Sequence, residues 1–133
     1  MRVQLTSTVV QIFTNDVQRS IAFYRLLGLP VPEAEGPDPH VDVELPGGNR
    51  LSFDAEQTIA GMHSDWTPSD SAGRVALAFG LESSAEVDMM FERLTTAGHP
   101  GSLSPYDAPW GQRYATVLDP DGNIVDLFAP LAS

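Results

Sequence analysis

Asp119-Pro120-Asp121-Gly122-Asn123-Ile124-Val125-Asp126-Leu127-Phe128-Ala129 joins a tight turn to an alternating strand, and an earlier stretch repeats the pattern. In Gly48-Asn49-Arg50-Leu51-Ser52-Phe53-Asp54-Ala55 the first glycine corresponds to Gly122, and Ser52 stands where the later copy has Asp126. The chain is therefore a duplicated module with altered side chains on one strand face. The turn is not a calcium loop: its Gly is fourth rather than sixth, and no Glu follows at the twelfth place. A hairpin turn is expected, with Pro120 setting φ and Gly122 or Asn123 taking a left-handed backbone.

Working outward, Thr8 to Thr14 alternates as a half-buried strand, and Asn15-Asp16-Val17-Gln18 supplies a helix cap. Val17, Ile21, Tyr24 and Leu26 or Leu27 recur at helical spacing until Gly28 stops the run. His40 to Leu45 and Arg50 to Ala55 read as a hairpin through Pro46-Gly47-Gly48-Asn49. Gln57 to Gly73 lacks periodicity and reads as a loop between the modules.

The second copy begins with a strand from Arg74 to Gly80 and a capping box, Ser83-Ser84-Ala85-Glu86. Val87, Met90, Phe91, Leu94 and Ala97 then form an apolar helical stripe, ended by Gly98. A short strand near Ser102, a loop through Pro105 to Gly111, a strand from Gln112 to Leu118 and the final strand complete it. Both helices carry Phe-x-Arg-Leu, as Phe23-Tyr24-Arg25-Leu26 and Phe91-Glu92-Arg93-Leu94.

The length of 133 residues suits one domain, which buries roughly 68% of its unfolded surface. Module one spans about 1–58 and module two about 73–133. Each is too small to be comfortable alone, so a shared core or a homodimer is expected. Without Cys the chain has no disulfide, thiolate ligand or thiol nucleophile, and its seven basic residues are all Arg, which removes lysine chemistry. A net charge of -11 disfavours nucleic acid. With no apolar stretch long enough to span a bilayer and no secretory signal pattern, no membrane partner and a cytoplasmic location are expected.

The pattern resembles the vicinal-oxygen-chelate superfamily, which includes glyoxalase I, extradiol dioxygenases, fosfomycin-resistance enzymes and bleomycin-binding proteins. The residues that carry the resemblance are Asn15-Asp16, Phe23-Tyr24-Arg25-Leu26-Leu27-Gly28-Leu29, Trp110-Gly111-Gln112-Arg113-Tyr114 and Asp119-Pro120-Asp121-Gly122-Asn123. The resemblance implies an α+β fold of two βαβββ modules with curled mixed sheets. It also implies four metal-ligand positions in the metal-dependent members, which here hold Val9, Ser52, Arg74 and Asp126. One carboxylate of four does not make a catalytic divalent site, so no metal, cofactor or catalytic residue is assigned.

Strand alternation from those positions gives an inward face of Val9, Gln11, Phe13, Arg50, Ser52, Asp54, Arg74, Ala76, Ala78, Ile124, Asp126 and Phe128. Val10, Ile12, Leu51, Phe53, Val75, Leu77, Phe79, Val125 and Leu127 then face the helices as core. Arg74 and Asp126 are expected to pair, either neutralising two half-buried charges or binding ligand. His40, His63 and His99 fall off the inward positions, with His63 kept only as a loop residue that touches ligand. Trp66, Tyr106 and Trp110 lie in expected loops, where each either packs or offers ring surface to a ligand.

The expected ligand-binding set is Gln11, Phe13, Ser52, Asp54, Trp66, Arg74, Tyr106, Trp110, Asp126 and Phe128. The first functional reading is metal-independent binding of a small molecule, a cationic or aromatic compound such as an antibiotic. The alternative is a lyase, isomerase or dioxygenase, either metal-dependent through other ligands or metal-free with Asp126 and Arg74. A third is an interaction module whose face is filled by a partner.

Overall fold

Val41, Val43, Leu51 and Phe53 alternate with polar neighbours and lose nearly all exposure, which builds the apolar side of the first of two sheets. The computed structural model describes residues 3–33, 38–68 and 75–132, and the chain divides into two units, Met1–Pro68 and Ser69–Ser133.

The first unit runs β1 (Thr8–Thr14), α1 (Val17–Leu27), β2 (His40–Leu45), β3 (Asn49–Ala55) and α2 (Glu56–Met62). Its sheet has the order β1-β3-β2, with β1 parallel and β2 antiparallel to β3. Asp16 opens α1 by accepting the Arg19 N–H at 3.0 Å, one residue later than Asn15, the first residue of the expected cap. Gly28 closes it at φ 111, in the left-handed region that L side chains avoid. Ile21, Tyr24 and Leu27 are buried, and the Tyr24 ring meets Phe53 of β3 at 5.0 Å.

The second unit runs β4 (Leu77–Gly80), α3 (Ser84–Thr96), β5 (Gly101–Ala108), β6 (Gln112–Leu118) and β7 (Ile124–Pro130), in the sheet order β4-β7-β6-β5. The Ser83 hydroxyl accepts the Glu86 N–H at 3.2 Å, as the capping box requires. Buried Val87 and Leu94 seat α3 on β5, β6 and β7, over the fully buried Ala115, Val117, Val125 and Leu127. Each such buried Val or Leu contributes about 1.5–3 kcal/mol. Gly101 makes room for α3 at the crossing: a Cβ there would lie 2.6 Å from the Phe91 ring, which would have to shift. The parallel pairings β1 with β3 and β4 with β7 are the structural form of the sequence repeat.

This is the α+β fold with two mixed sheets that the resemblance implied, with four local corrections. The expected loop after Ala55 begins with α2, which was illegible because only Ile59 of it is buried and no side chain caps its start. β5 continues through Pro105 to Ala108, where a loop was expected; it is an edge strand with register shifts, and both features tolerate proline. Among the described residues the first unit has two strands after α1 rather than three. Val75 and Val10, expected in the core, are 74% and 38% exposed, and β4 begins at Leu77.

Candidate functional site

With α3 covering one side of the second sheet, alternation sends Gln112, Tyr114 and Thr116 of β6 and Asp126 and Phe128 of β7 to the other. Register aligns Tyr106, Tyr114, Phe128 and Gly80 in one row, and Thr116, Asp126 and Ala78 in the next. The Phe128 ring lies over Gly80, where an added Cβ would come within 3.1 Å of it. Trp110, in the turn between β5 and β6, is 58% exposed. Its indole N–H donates to Gln112 Oε1 at 2.9 Å, while its ring stands edge-on to Tyr114 at 5.4 Å and Tyr106 at 6.4 Å.

Asp126 is half-buried, one row along from Tyr114 and Phe128. Its two oxygens each accept a hydroxyl, Oδ2 from Tyr114 at 2.7 Å and Oδ1 from Thr116 at 2.6 Å. Burial, then the hydrogen bond to Asp126, pushes the Tyr114 phenol up to about 12. Tyr114 is thus a neutral donor at ordinary pH and no base. The expected partner Arg74 lies outside the described residues. The two hydroxyls are partners the sequence reading did not find.

The first sheet carries a different polar face. Gln11, Ser52 and Asp42 form one cross-strand row, and Phe13, Asp54 and His40 the next. Ser52 and Asp54 are buried, Gln11 is exposed, and the Ser52 hydroxyl donates to Asp54 at 3.4 Å. His40, expected off the inward positions, lies on this face: Nδ1 is 2.5 Å from Asp54 and Nε2 is 3.0 Å from Asp42. The Asp54 hydrogen bond, opposed by burial and helped by Asp42, raises the His40 pKa above 6.5. Trp66 follows α2 and stands edge-on to Phe13 at 5.6 Å. An open cavity of about 280 Å³ is lined by Pro32, Glu33, Asp38, His40, Val41 and Asp42, and it offers carboxylates and one imidazole.

Of the expected set, Tyr106, Trp110, Asp126 and Phe128 gather on the second sheet, and Gln11, Phe13, Ser52, Asp54 and Trp66 on the first. Tyr106 belongs to β5 rather than to a loop. His40, Asp42, Gln112, Tyr114 and Thr116 were missed because alternation was carried only along the first and last strand of each module. Extending the period to β6, and pairing Leu45 with Asn49 across the hairpin, brings all five to these faces.

The metal positions implied by the resemblance do not form a fitting donor set. Val9 has no donor, the Ser52 hydroxyl is directed to Asp54, and both Asp126 oxygens hold hydroxyls. Among the described residues no three His, Asp or Glu side chains are grouped to hold a metal ion.

Comparison with known proteins agrees with the architecture. The model of the Glyoxalase/Bleomycin resistance protein/Dioxygenase superfamily matches residues 6–127. A glyoxalase/bleomycin resistance protein/dioxygenase family enzyme from Burkholderia phytofirmans PsJN has a similar structure, with TM-score 0.80 and 22% identity over 92% of this chain and 97% of that one. A glyoxalase/bleomycin resistance protein/dioxygenase from Nocardioides is 27% identical, with TM-score 0.75 over 100% of this chain and 88% of that one. A lactoylglutathione lyase from Agrobacterium tumefaciens is 22% identical, with TM-score 0.67 over 92% and 91%, a likeness of fold alone. No curated protein matches. The repeated strand, helix and antiparallel strands, with the match across both units, make the chain a member of the Glyoxalase/Bleomycin resistance protein/Dioxygenase superfamily.

Proposed function

We propose that the protein binds an aromatic small molecule without a metal ion, on the face formed by Tyr106, Trp110, Tyr114 and Phe128, and acts by sequestering it or presenting it to an enzyme. The observation that supports this most is Trp110, held edge-on by two tyrosines and still 58% exposed. A rigid ring left open to solvent offers contact area at little entropic cost. The same reading takes the protein to act as a homodimer, which sedimentation tests.

The binding reading is tested by Trp110 fluorescence in a Trp66→Phe background, titrated with a panel of aromatic natural products in excess chelator. Saturable quenching by at least one compound is expected, and a flat response across the panel contradicts the proposal. The half-buried Asp126 carboxylate supports a second reading, metal-free proton abstraction. On that reading Asp126→Asn abolishes turnover of a bound compound, and bound compounds that are never turned over count against it.

A further inference from the structure

Two hydrogen-bond directions decide what the Tyr114–Asp126–Thr116 cluster can accept. Tyr114 has one hydroxyl proton and gives it to Asp126 Oδ2; Thr116 has one and gives it to Oδ1. Among the described residues, what remains on this three-residue cluster is acceptor capacity: the lone pairs of the Tyr114 oxygen and the unused lone pairs of the Asp126 carboxylate, with Thr116 buried. At the rim, Gln112 Oε1 accepts the Trp110 indole N–H, which leaves the Gln112 amide N–H groups as the donors there, outside the Tyr114–Asp126–Thr116 cluster.

A ligand carboxylate or carbonyl placed against Tyr114, Thr116 and Asp126 meets only lone pairs and loses its water uncompensated. Rotating either hydroxyl towards such a ligand breaks a short bond to an ionised acceptor, the stronger kind. A cation with N–H protons meets the opposite conditions. It finds a formal negative charge, several free acceptors and the ring faces of Trp110 and Tyr114 close by. The net charge of -11 also draws cations toward the protein.

We infer that this face selects a compound carrying an N–H cation, an ammonium or amidinium group, held by the Asp126 carboxylate while its ring lies against Trp110 and Tyr114. The inference rests on the binding reading above and names its ligand class.

Four probes with one ring system test it: naphthylmethylammonium, naphthylmethyl-trimethylammonium, naphthylmethanol and naphthoate, each titrated calorimetrically into the full chain. The ammonium is expected to bind about ten-fold or more tighter than the alcohol, the value of a hydrogen bond to a charged group. The trimethyl analogue, charged but without N–H, should fall between them, and naphthoate should bind most weakly. Asp126→Asn should shrink the ammonium-over-alcohol ratio to about two-fold, whereas Tyr114→Phe, which leaves the carboxylate, should preserve a clear preference for the ammonium.

Equal binding of ammonium and alcohol overturns the inference while leaving the binding reading standing. A preference for naphthoate, as a face completed by Arg74 would show, also overturns it. Failure of all four probes to bind overturns the binding reading itself. The probe ranking on the unmodified chain decides the matter even if Asp126→Asn does not fold.

Discussion

Tyr114 and His40 both hold their protons more tightly than usual, for different reasons. Tyr114 is pushed up to about 12 by burial and by Asp126, against an ordinary value of 10.0. Its contribution to stability is therefore present below pH 10 and lost as pH rises towards 12. Subtracting the alkaline absorbance titration of Tyr114→Phe from that of the native chain should leave a phenolate step near 12; a step near 10 would contradict the Tyr114–Asp126 bond. His40 is raised above 6.5 chiefly by Asp54, so its stabilisation is present below that value and fades as pH rises through the raised one. The ring is about half exposed, so solvent keeps this contribution small. In NMR titration Asp54→Asn should lower the His40 pKa, and an unchanged value would mean that Asp54 does not hold the ring.

The turns and caps carry stability that can be measured one element at a time. Asp119 accepts the Asp121 and Asn123 N–H groups at 2.9 Å and the Asn123 side-chain amide at 2.8 Å, which pins the turn into β7. Asp119→Ala should cost about 1–3 kcal/mol in urea unfolding, and Ser83→Ala, at the cap of α3, about 1 kcal/mol. A cost near zero for Asp119→Ala would mean the turn is fixed without the Asp119 side chain, by its backbone bonds and by Gly122 at φ 85. Gly101→Ala should also destabilise, by about 1–3 kcal/mol, and less so beside Phe91→Leu, because the clash is with the Phe91 ring. Elements with strong local signals were legible: β1 and β6 run as read, and α3 starts at its capping box. α2 was not, with Gly61 inside it and one buried residue, and of β5 only the start near Ser102 was, because register shifts break the alternation further on. The site was half legible for the same reason. The Phe13, Phe128, Asp54 and Asp126 positions follow from alternation within a strand, whereas the Tyr114–Asp126–Thr116 bonds and the His40–Asp54 contact depend on register between strands.

For the whole molecule, an acidic chain without lysine or cysteine leaves carboxylates, hydroxyls, amides and rings, with seven Arg and three His, as its recognition chemistry. No helix among the described residues is long and apolar enough to cross a membrane. If Asp126 holds a cation on the second sheet, binding should weaken with salt, since raising ionic strength from about 0.01 M to about 1 M shortens the screening length from about 30 Å to about 3 Å. Calorimetric titration of naphthylmethylammonium across that range should show a falling affinity, and salt-independent binding would point to ring contact alone. Metal independence is tested most directly by titrating Trp110 fluorescence in a Trp66→Phe background with naphthylmethylammonium, with and without excess chelator. The expected result is one saturable curve under both conditions; quenching that vanishes with chelator and returns when a divalent metal is restored would contradict it.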